Sequence, residues 1–510
     1  GALQNSTVAN SNTALGTNSL RDNTTGSSNT SVGNSALSLN TTANNNTAVG
    51  NSALSLNTTA NNNTAVGASA LQNNTTASNN TGIGASALSS NTTGANNTAV
   101  GNSALQNNTT ASFNTAVGTS TLQSNTIGSS DTALGASALQ LNTTGGSNTA
   151  VGTSALSSNT TASFNTAVGS NTLSANSTGA NNTAVGSLAL TTNSIGNNNN
   201  ALGVSALRLN TTGSNNIAVG NSALTANTTG GNNTAVGNSA LSSNTTTSNN
   251  TAVGNNALVS NTANNNTAVG SDALTTNSTG NNNTSVGFQS LQTNSTGTNN
   301  NALGVSALRF NTTGTNNVAM GNGALRDNTI SSNNTAVGNN ALTANTGGSN
   351  TGIGFNALVN NTTGDNNTCL GNNAGTGTSP LNITTQSNRV VIGNNSITNS
   401  YIVVDWTITS DLRDKTNLKP IIHGLDFVNQ LKPTEFQFRK ERGSEEIQEG
   451  GRIHYGFIAQ DILALEGDKP VIIDNEDNEN LKYTGSHLIP VLVKAIQELT
   501  ARVQALEAGK

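Results

Sequence analysis

Apolar residues in the first three quarters of this chain fall on a fixed beat. Between Gly16 and Gly371 a glycine returns at every seventeenth position, as at Gly16, Gly33 and Gly50, with two steps shorter by one (Gly254 to Gly270 and Gly338 to Gly354). The consensus, seen over residues 46–62, is N-T-A-V-G-N-S-A-L-x-x-N-T-T-x-x-N. A leucine stands four places after each glycine from Gly16 to Gly354, and an asparagine three places beyond each leucine. Another asparagine stands four places before each glycine, with Asp131 the single exception. So short a period means stacked coils, not a globule.

Runs such as Thr47-Ala48-Val49 and Ser52-Ala53-Leu54 have the length and composition of short strands, separated by glycine and by Asn/Thr corners. Two strands and two corners per coil are predicted. Stacking in register gives a leucine column and a Val/Leu/Ile column, both expected in the core, and two asparagine columns expected to hydrogen-bond along the stack. At about 4.8 Å per coil the stack is roughly 105 Å long. The fold class expected is mostly β: a parallel β-solenoid or β-roll over 1–379, then a small α+β unit ending in a coiled-coil helix. The chain opens partway through a coil, at Gly1-Ala2-Leu3, so a mature product or a fragment is expected.

Composition agrees with a ladder-built backbone. Residues 1–379 contain no proline, lysine or glutamate, and nine of the chain's 41 charged residues. Disordered chains are usually rich in proline and charge, and proline cannot donate to a ladder. The four arginines here, Arg21, Arg208, Arg309 and Arg326, share the slot five after the glycine, which is expected to face water. The net charge of −5 carries no basic patch, which disfavours nucleic acid and anionic membranes as partners. No apolar run is long enough to predict membrane insertion, and no secretory signal is visible. Cys369 is the single cysteine, so neither an intrachain disulfide nor a cysteine-based metal site is expected.

Each coil offers few large side chains for burial, and its small residues permit close approach of sister chains. An obligate homo-oligomer is therefore expected, and the family resemblances given below imply that it is a homotrimer. The repeat resembles the heads of trimeric autotransporter adhesins, whose x-A-I-G or x-A-V-G turns build a left-handed parallel β-roll. The resemblance extends over nearly the whole of 1–379, with a longer period than is usual there. Threonine arrays leave an ice- or glycan-binding solenoid as a lesser reading, and N-x-T sequons follow from the repeat alone.

A second composition begins at Pro380. Positions 380–510 hold 32 of the 41 charges, all the lysines and glutamates, and the single tryptophan. Residues 380–408 are expected to form a transition, with a last irregular coil at 389–393 and an apolar strand at 401–404, and 409–510 a separate unit. In it, Thr409-Ser410-Asp411-Leu412-Arg413-Asp414-Lys415 carries an S-D-x-R-x-K pattern, followed by Gly424-Leu425-Asp426, Leu431-Lys432-Pro433, Gly456-Phe457-Ile458-Ala459-Gln460-Asp461 and Tyr483. This series resembles the endosialidase-type intramolecular chaperone domain, which ends phage tail spikes and fibres, trimerises them and cuts itself off.

The resemblance implies a Ser/Lys dyad, with Ser410 as nucleophile on the Thr409 carbonyl and Lys415 as general base, freeing a chain that starts at Ser410. Serine needs such a base to become a nucleophile. Asp411, Arg413 and His454 stand as supporting residues. Asp414 occupies a slot that is commonly apolar in that family and would favour the charged form of Lys415. A plainer role for Ser410 is the cap of a helix beginning at Asp411. His423 and His487 have no metal-ligand spacing with His454, and neither metal nor cofactor is expected.

At the end, Ile489, Leu492, Ile496, Leu499, Val503 and Leu506 form a heptad seam in a helix expected over 488–508. Together these features point to a phage tail fibre, or a fibre of an injection device, assembled as a trimer by a tail that is then released. A bacterial cell-surface adhesin using the same device is the alternative. Either has a surface receptor or glycan as its outside partner. Any enzyme activity is a single cut of the chain itself.

Overall fold

The computed structural model describes residues 1–397, 400–403, 410–440, 443–447, 451–476, 478–479 and 481–509. It divides into two compact units, Gly1–Ser396 and Ile397–Lys510.

In the first unit, twenty-three three-residue strands, β1 (Thr13–Leu15) through β23 (Val390–Ile392), form one parallel sheet among the described residues. Each strand pairs with those of the coils before and after it, in register: Thr30 with Thr47, Thr47 with Thr64, and so to Thr368 with Val390. The last step, from Thr368 to Val390, is longer than the others, and it forms the irregular coil expected at 389–393.

One strand per coil, not two, is the first departure from expectation. The Ser-Ala-Leu run is a turn: Ser52 and Leu54 both take left-handed backbone angles, φ 56° and 52°. It nevertheless ladders between coils. Ser52 N–H donates to Asn34 O (2.9 Å) and Leu54 N–H to Ala70 O (2.9 Å), while Ala53 N–H closes back on Gly50 O (3.4 Å). A left-handed leucine costs about 1–2 kcal/mol. Full burial of the leucine side chain, worth about 1.5–3 kcal/mol, offsets it. Gly50 sits at φ 138°, and a Cβ there would lie 2.4 Å from Gly67 O, so each coil corner needs glycine.

The Val/Leu/Ile column is the second departure: it is not core. Side chains alternate along a strand, so in Thr47-Ala48-Val49 only Ala48 points inward. Ala48 is fully buried, whereas Leu134, Leu303 and their equivalents are half-exposed. The interior there takes small side chains, alanine in most coils and serine at Ser31 and Ser285; a Cβ built on Gly82 already comes within 3.3 Å of Leu71 Cγ. The core is therefore two alanines and a leucine per coil, with the asparagines beside them. The arginine slot is at the surface but partly covered. Arg21 and Arg326 pair with the aspartate that follows each (2.7 and 2.8 Å).

Both asparagine columns are fully buried and bonded along the stack. Asn57 Nδ2 donates to Asn40 Oδ1 (3.1 Å) and to Ala60 O (3.0 Å). In the other column Asn46 N–H donates to Asn29 Oδ1 (3.0 Å) and its Nδ2 to Ala60 O (2.9 Å). The buried amides are thus satisfied by their counterparts in neighbouring coils.

The two shorter coils interrupt the first ladder. Asn261 Nδ2 turns to Ala263 O (2.7 Å) and no longer reaches Asn244, whose Oδ1 instead accepts the Thr247 hydroxyl. At the second fault Asn345 Nδ2 turns to Gly347 O (2.7 Å), and Asn328 Oδ1 is left buried without a partner.

Asp131 replaces one rung of the second ladder. It accepts from Asn148 N–H (2.8 Å) and from Asn142 Nδ2 (3.2 Å). The equivalent asparagines at 114 and 148 each donate Nδ2 to a carbonyl fourteen residues on. Asp131 makes that bond to Gly145 O only as the neutral acid. Burial pushes its carboxyl up to about 7, against the Asn148 N–H bond that favours the anion.

The second unit has its own core of Phe427, Ile462, Ile472, Ile473, Leu488 and Val491. It contains α1 (Leu425–Val428), an antiparallel pair β24 (Thr434–Phe436) and β25 (His454–Gly456), α2 (Ala459–Glu466), a second pair β26 (Ile473–Asp474) and β27 (Lys482–Tyr483), and α3 (Gly485–Ala508). Tyr401, Ile402 and Val403 are exposed and in no strand, contrary to expectation, and Val404 lies outside the described residues.

The buried polar columns can be tested by unfolding. Asp131 has a native pKa above that of the unfolded chain, so its contribution is fully present below about pH 4 and is lost as pH rises through about 7. Urea unfolding of the repeat should lose on the order of 4 kcal/mol between those limits, and Asp131→Asn should remove that slope. Thr247→Val should leave Asn244 Oδ1 as bare as Asn328 Oδ1 and cost about 1–3 kcal/mol in the same measurement.

Candidate functional site

Residues 410–415 form a tight turn. Asp411 is the N-cap of a single 3-10 turn, Leu412–Asp414, with its carboxylate accepting Arg413 N–H (2.8 Å). The cap is therefore Asp411, not Ser410. Arg413 folds its guanidinium back onto the same carboxylate (2.6 Å), which holds Asp411 below the usual carboxylate range. Lys415 closes the turn, N–H to Leu412 O (3.2 Å), and leaves in an extended conformation.

That geometry brings two side chains together. Lys415 Nζ donates to Ser410 Oγ at 2.6 Å, across five residues of chain. Both residues are exposed. Asp414, the neighbour expected to hold Lys415 charged, makes no ion pair with it among the described residues. Thr409 lies outside the described residues.

His454 is elsewhere. It sits in β25 opposite Phe436, stacked on that ring (centroids 5.7 Å) and edge-on to Phe438 (5.2 Å), with no contact to Ser410 among the described residues. His423 lies against Phe427 (4.3 Å), and His487 Nδ1 meets Val471 O (2.7 Å). No group of three or more His, Cys, Asp or Glu side chains placed to hold a metal occurs among the described residues. Nor is any described helix long and apolar enough to cross a membrane.

The motifs downstream of the dyad are structural. Gly424 lets the Glu498 carboxylate close on the chain: a Cβ there would lie 2.4 Å from Glu498 Oε2, which accepts Leu425 N–H at 2.8 Å. That bond holds Glu498 below its ordinary pKa. Lys494 Nζ donates to Ile421 O (2.6 Å) and Arg502 reaches Asp426 (3.4 Å), so one face of α3 grips the segment 421–426. Leu431 and Phe457 pack on the core, and Phe457 meets Tyr483 (5.8 Å). Glu466, at the end of α2, accepts three successive N–H groups, from Val471, Ile472 and Ile473 (2.7–3.0 Å).

Glu466, Lys494 and Glu498 carry no signal in the sequence. For the two on α3 the partners lie 73 residues away, and all three look like ordinary surface charges.

No curated protein and no solved structure matches this chain. Residues 410–468 match the family model described as chaperone of endosialidase, so the segment that follows the parallel β-solenoid in this chain, beginning at the serine of the Ser410–Lys415 contact, is similar to that family.

Proposed function

We propose that this chain is a fibre or adhesin, a phage tail fibre or the fibre of an injection device, whose solenoid is assembled as a homotrimer by the C-terminal domain, which then cuts between Thr409 and Ser410. The observation that carries this reading is the 2.6 Å contact of Lys415 Nζ with Ser410 Oγ at the first residue of the family match, behind a ladder of interchangeable coils. Identical coils can pair one step out at little local cost, so chains need a unique end at which to align. A removable aligning domain meets that need, and its loss makes assembly kinetically irreversible.

The chemistry is two successive acyl transfers, first to Ser410 Oγ and then to water. The Ser410 Oγ attacks the Thr409 carbonyl carbon while its proton passes to Lys415, and the Thr409–Ser410 C–N bond breaks as the amine of Ser410 takes up a proton. Water then hydrolyses the Thr409 ester, leaving a carboxylate at Thr409 and a free amine at Ser410. Lys415 must first be neutral, and in the single chain it is exposed. Cover by sister chains would shield the Ser410–Lys415 pair from water.

Two surfaces support self-association. The seam of α3, Ile489, Leu492, Ile496, Leu499, Val503 and Leu506, is open to solvent, while Leu488, Val491 and Ala495 on the adjoining face are buried in the domain. Along the solenoid the third residue of each strand is apolar and at least partly exposed, which adds a continuous apolar stripe of the kind that marks interaction surfaces.

Intact mass and denaturing electrophoresis test the cut. A fragment comprising 410–510 should appear from the wild type and be absent from Ser410→Ala and Lys415→Met; a wild type that stays full-length overturns the reading. Ile496→Asp with Val503→Asp should break the seam and lower association, seen by light scattering, and release of the fragment should fall with it.

A further inference from the structure

The repeat departs from its own pattern twice on the outward sheet face, and the two departures are copies. Residues 201–216 read ALGVSALRLNTTGSNN and residues 302–317 read ALGVSALRFNTTGTNN. Threonine opens eighteen of the 23 strands. Up to β22 (Thr368–Leu370) the exceptions are β12 (Asn200–Leu202) with its neighbour β13 (Ile217–Val219), and β18 (Asn301–Leu303) with its neighbour β19 (Val318–Met320). Six coils, roughly 29 Å, separate the two modules.

The alanine in the middle of each of these strands is buried, so the residues on either side of it stand on the outward face. There Leu202 and Ile217 are 45% and 40% exposed, and Leu303 and Met320 50% and 42%. Elsewhere the same face alternates threonine with valine or its equivalents, and none of its strands presents a charged side chain there.

We propose that these two modules are self-recognition sites, at which the outward face of each strand pair packs against the same face of a second copy of this chain. This rests on the homo-oligomer reading above. The absence of charge lets like faces meet without repulsion, and the apolar third residue of every strand continues through both modules, where Leu202, Leu303 and Met320 are 42–50% exposed. The spacing adds selectivity. Copies that are level set apolar side chains against apolar side chains at both modules. A slip of two or three coils sets all of them against threonine-opened strands, and a slip of six matches one module alone.

The test uses the full chain with Ile217→Thr and Val318→Thr, which install the residue that opens most other strands and so preserve the coil. The control is Phe113→Asn with Phe164→Asn, which removes two residues 65% exposed but off this face, where the neighbouring coils carry Asn96 and Asn181. Light scattering gives the assembly state, and exchange between tagged and untagged copies gives the dissociation rate. Exchange should be about tenfold faster or more in the first variant and unchanged in the control. A stable oligomer whose exchange is unaffected by the first pair, or accelerated equally by both, overturns the self-recognition sites alone. A wild type that is monomeric overturns the homo-oligomer reading, and the sites with it.

Discussion

Everything in the solenoid depends on hydrogen bonds between one coil and the next. A coil this short buries little more than two alanines and a leucine, so no coil holds its shape alone. Its carbonyls, amides and asparagine side chains find their partners one coil away, at Thr47 to Asn63, at Leu54 to Ala70, at Asn57 to Asn40. The length of the coil is then itself the constraint. Removing one residue turns the Nδ2 groups of Asn261 and Asn345 away from the preceding rung, and in the second case a buried Asn328 oxygen goes without a donor.

The same interchangeability creates the problem that the C-terminal segment is suited to solve. Ladders of identical rungs stabilise many registers almost equally. The domain at 410–468 and the helix that follows have what the coils lack: a core of unlike residues, long-range clasps such as Glu498 on Leu425 and Lys494 on Ile421, and a helix with one face buried and one left open. A unique structure of this kind can define an end. The two modules in the shaft would act in the same sense, as the places where one coil is not equivalent to another.

The stack, its period, its parallel register and the asparagine ladders were legible in the sequence because each coil repeats the same residues at the same spacing. What misled was local propensity. Ser-Ala-Leu has the composition of a strand, yet Ser52 and Leu54 adopt left-handed angles because the leucine reaches the core only from a turn. Valine has the composition of a core residue, yet alternation along a three-residue strand turns it outward once alanine takes the inside. At the dyad, Ser410 and Lys415 could be named from their pattern, and their contact follows from a short turn. His454 could be named too, but its strand places it among aromatic rings.

By itself the sequence determined what repeats: a fixed period is a statement about geometry, since equal steps along the chain must become equal steps in space. It also determined where the repeat stops and which residue types could do chemistry. Only the tertiary structure decided which side of each strand faces in, which carboxylates clasp distant backbone, and which rung of a ladder is left unpaired. Those depend on groups a coil or a domain apart, and the chain carries no local record of them.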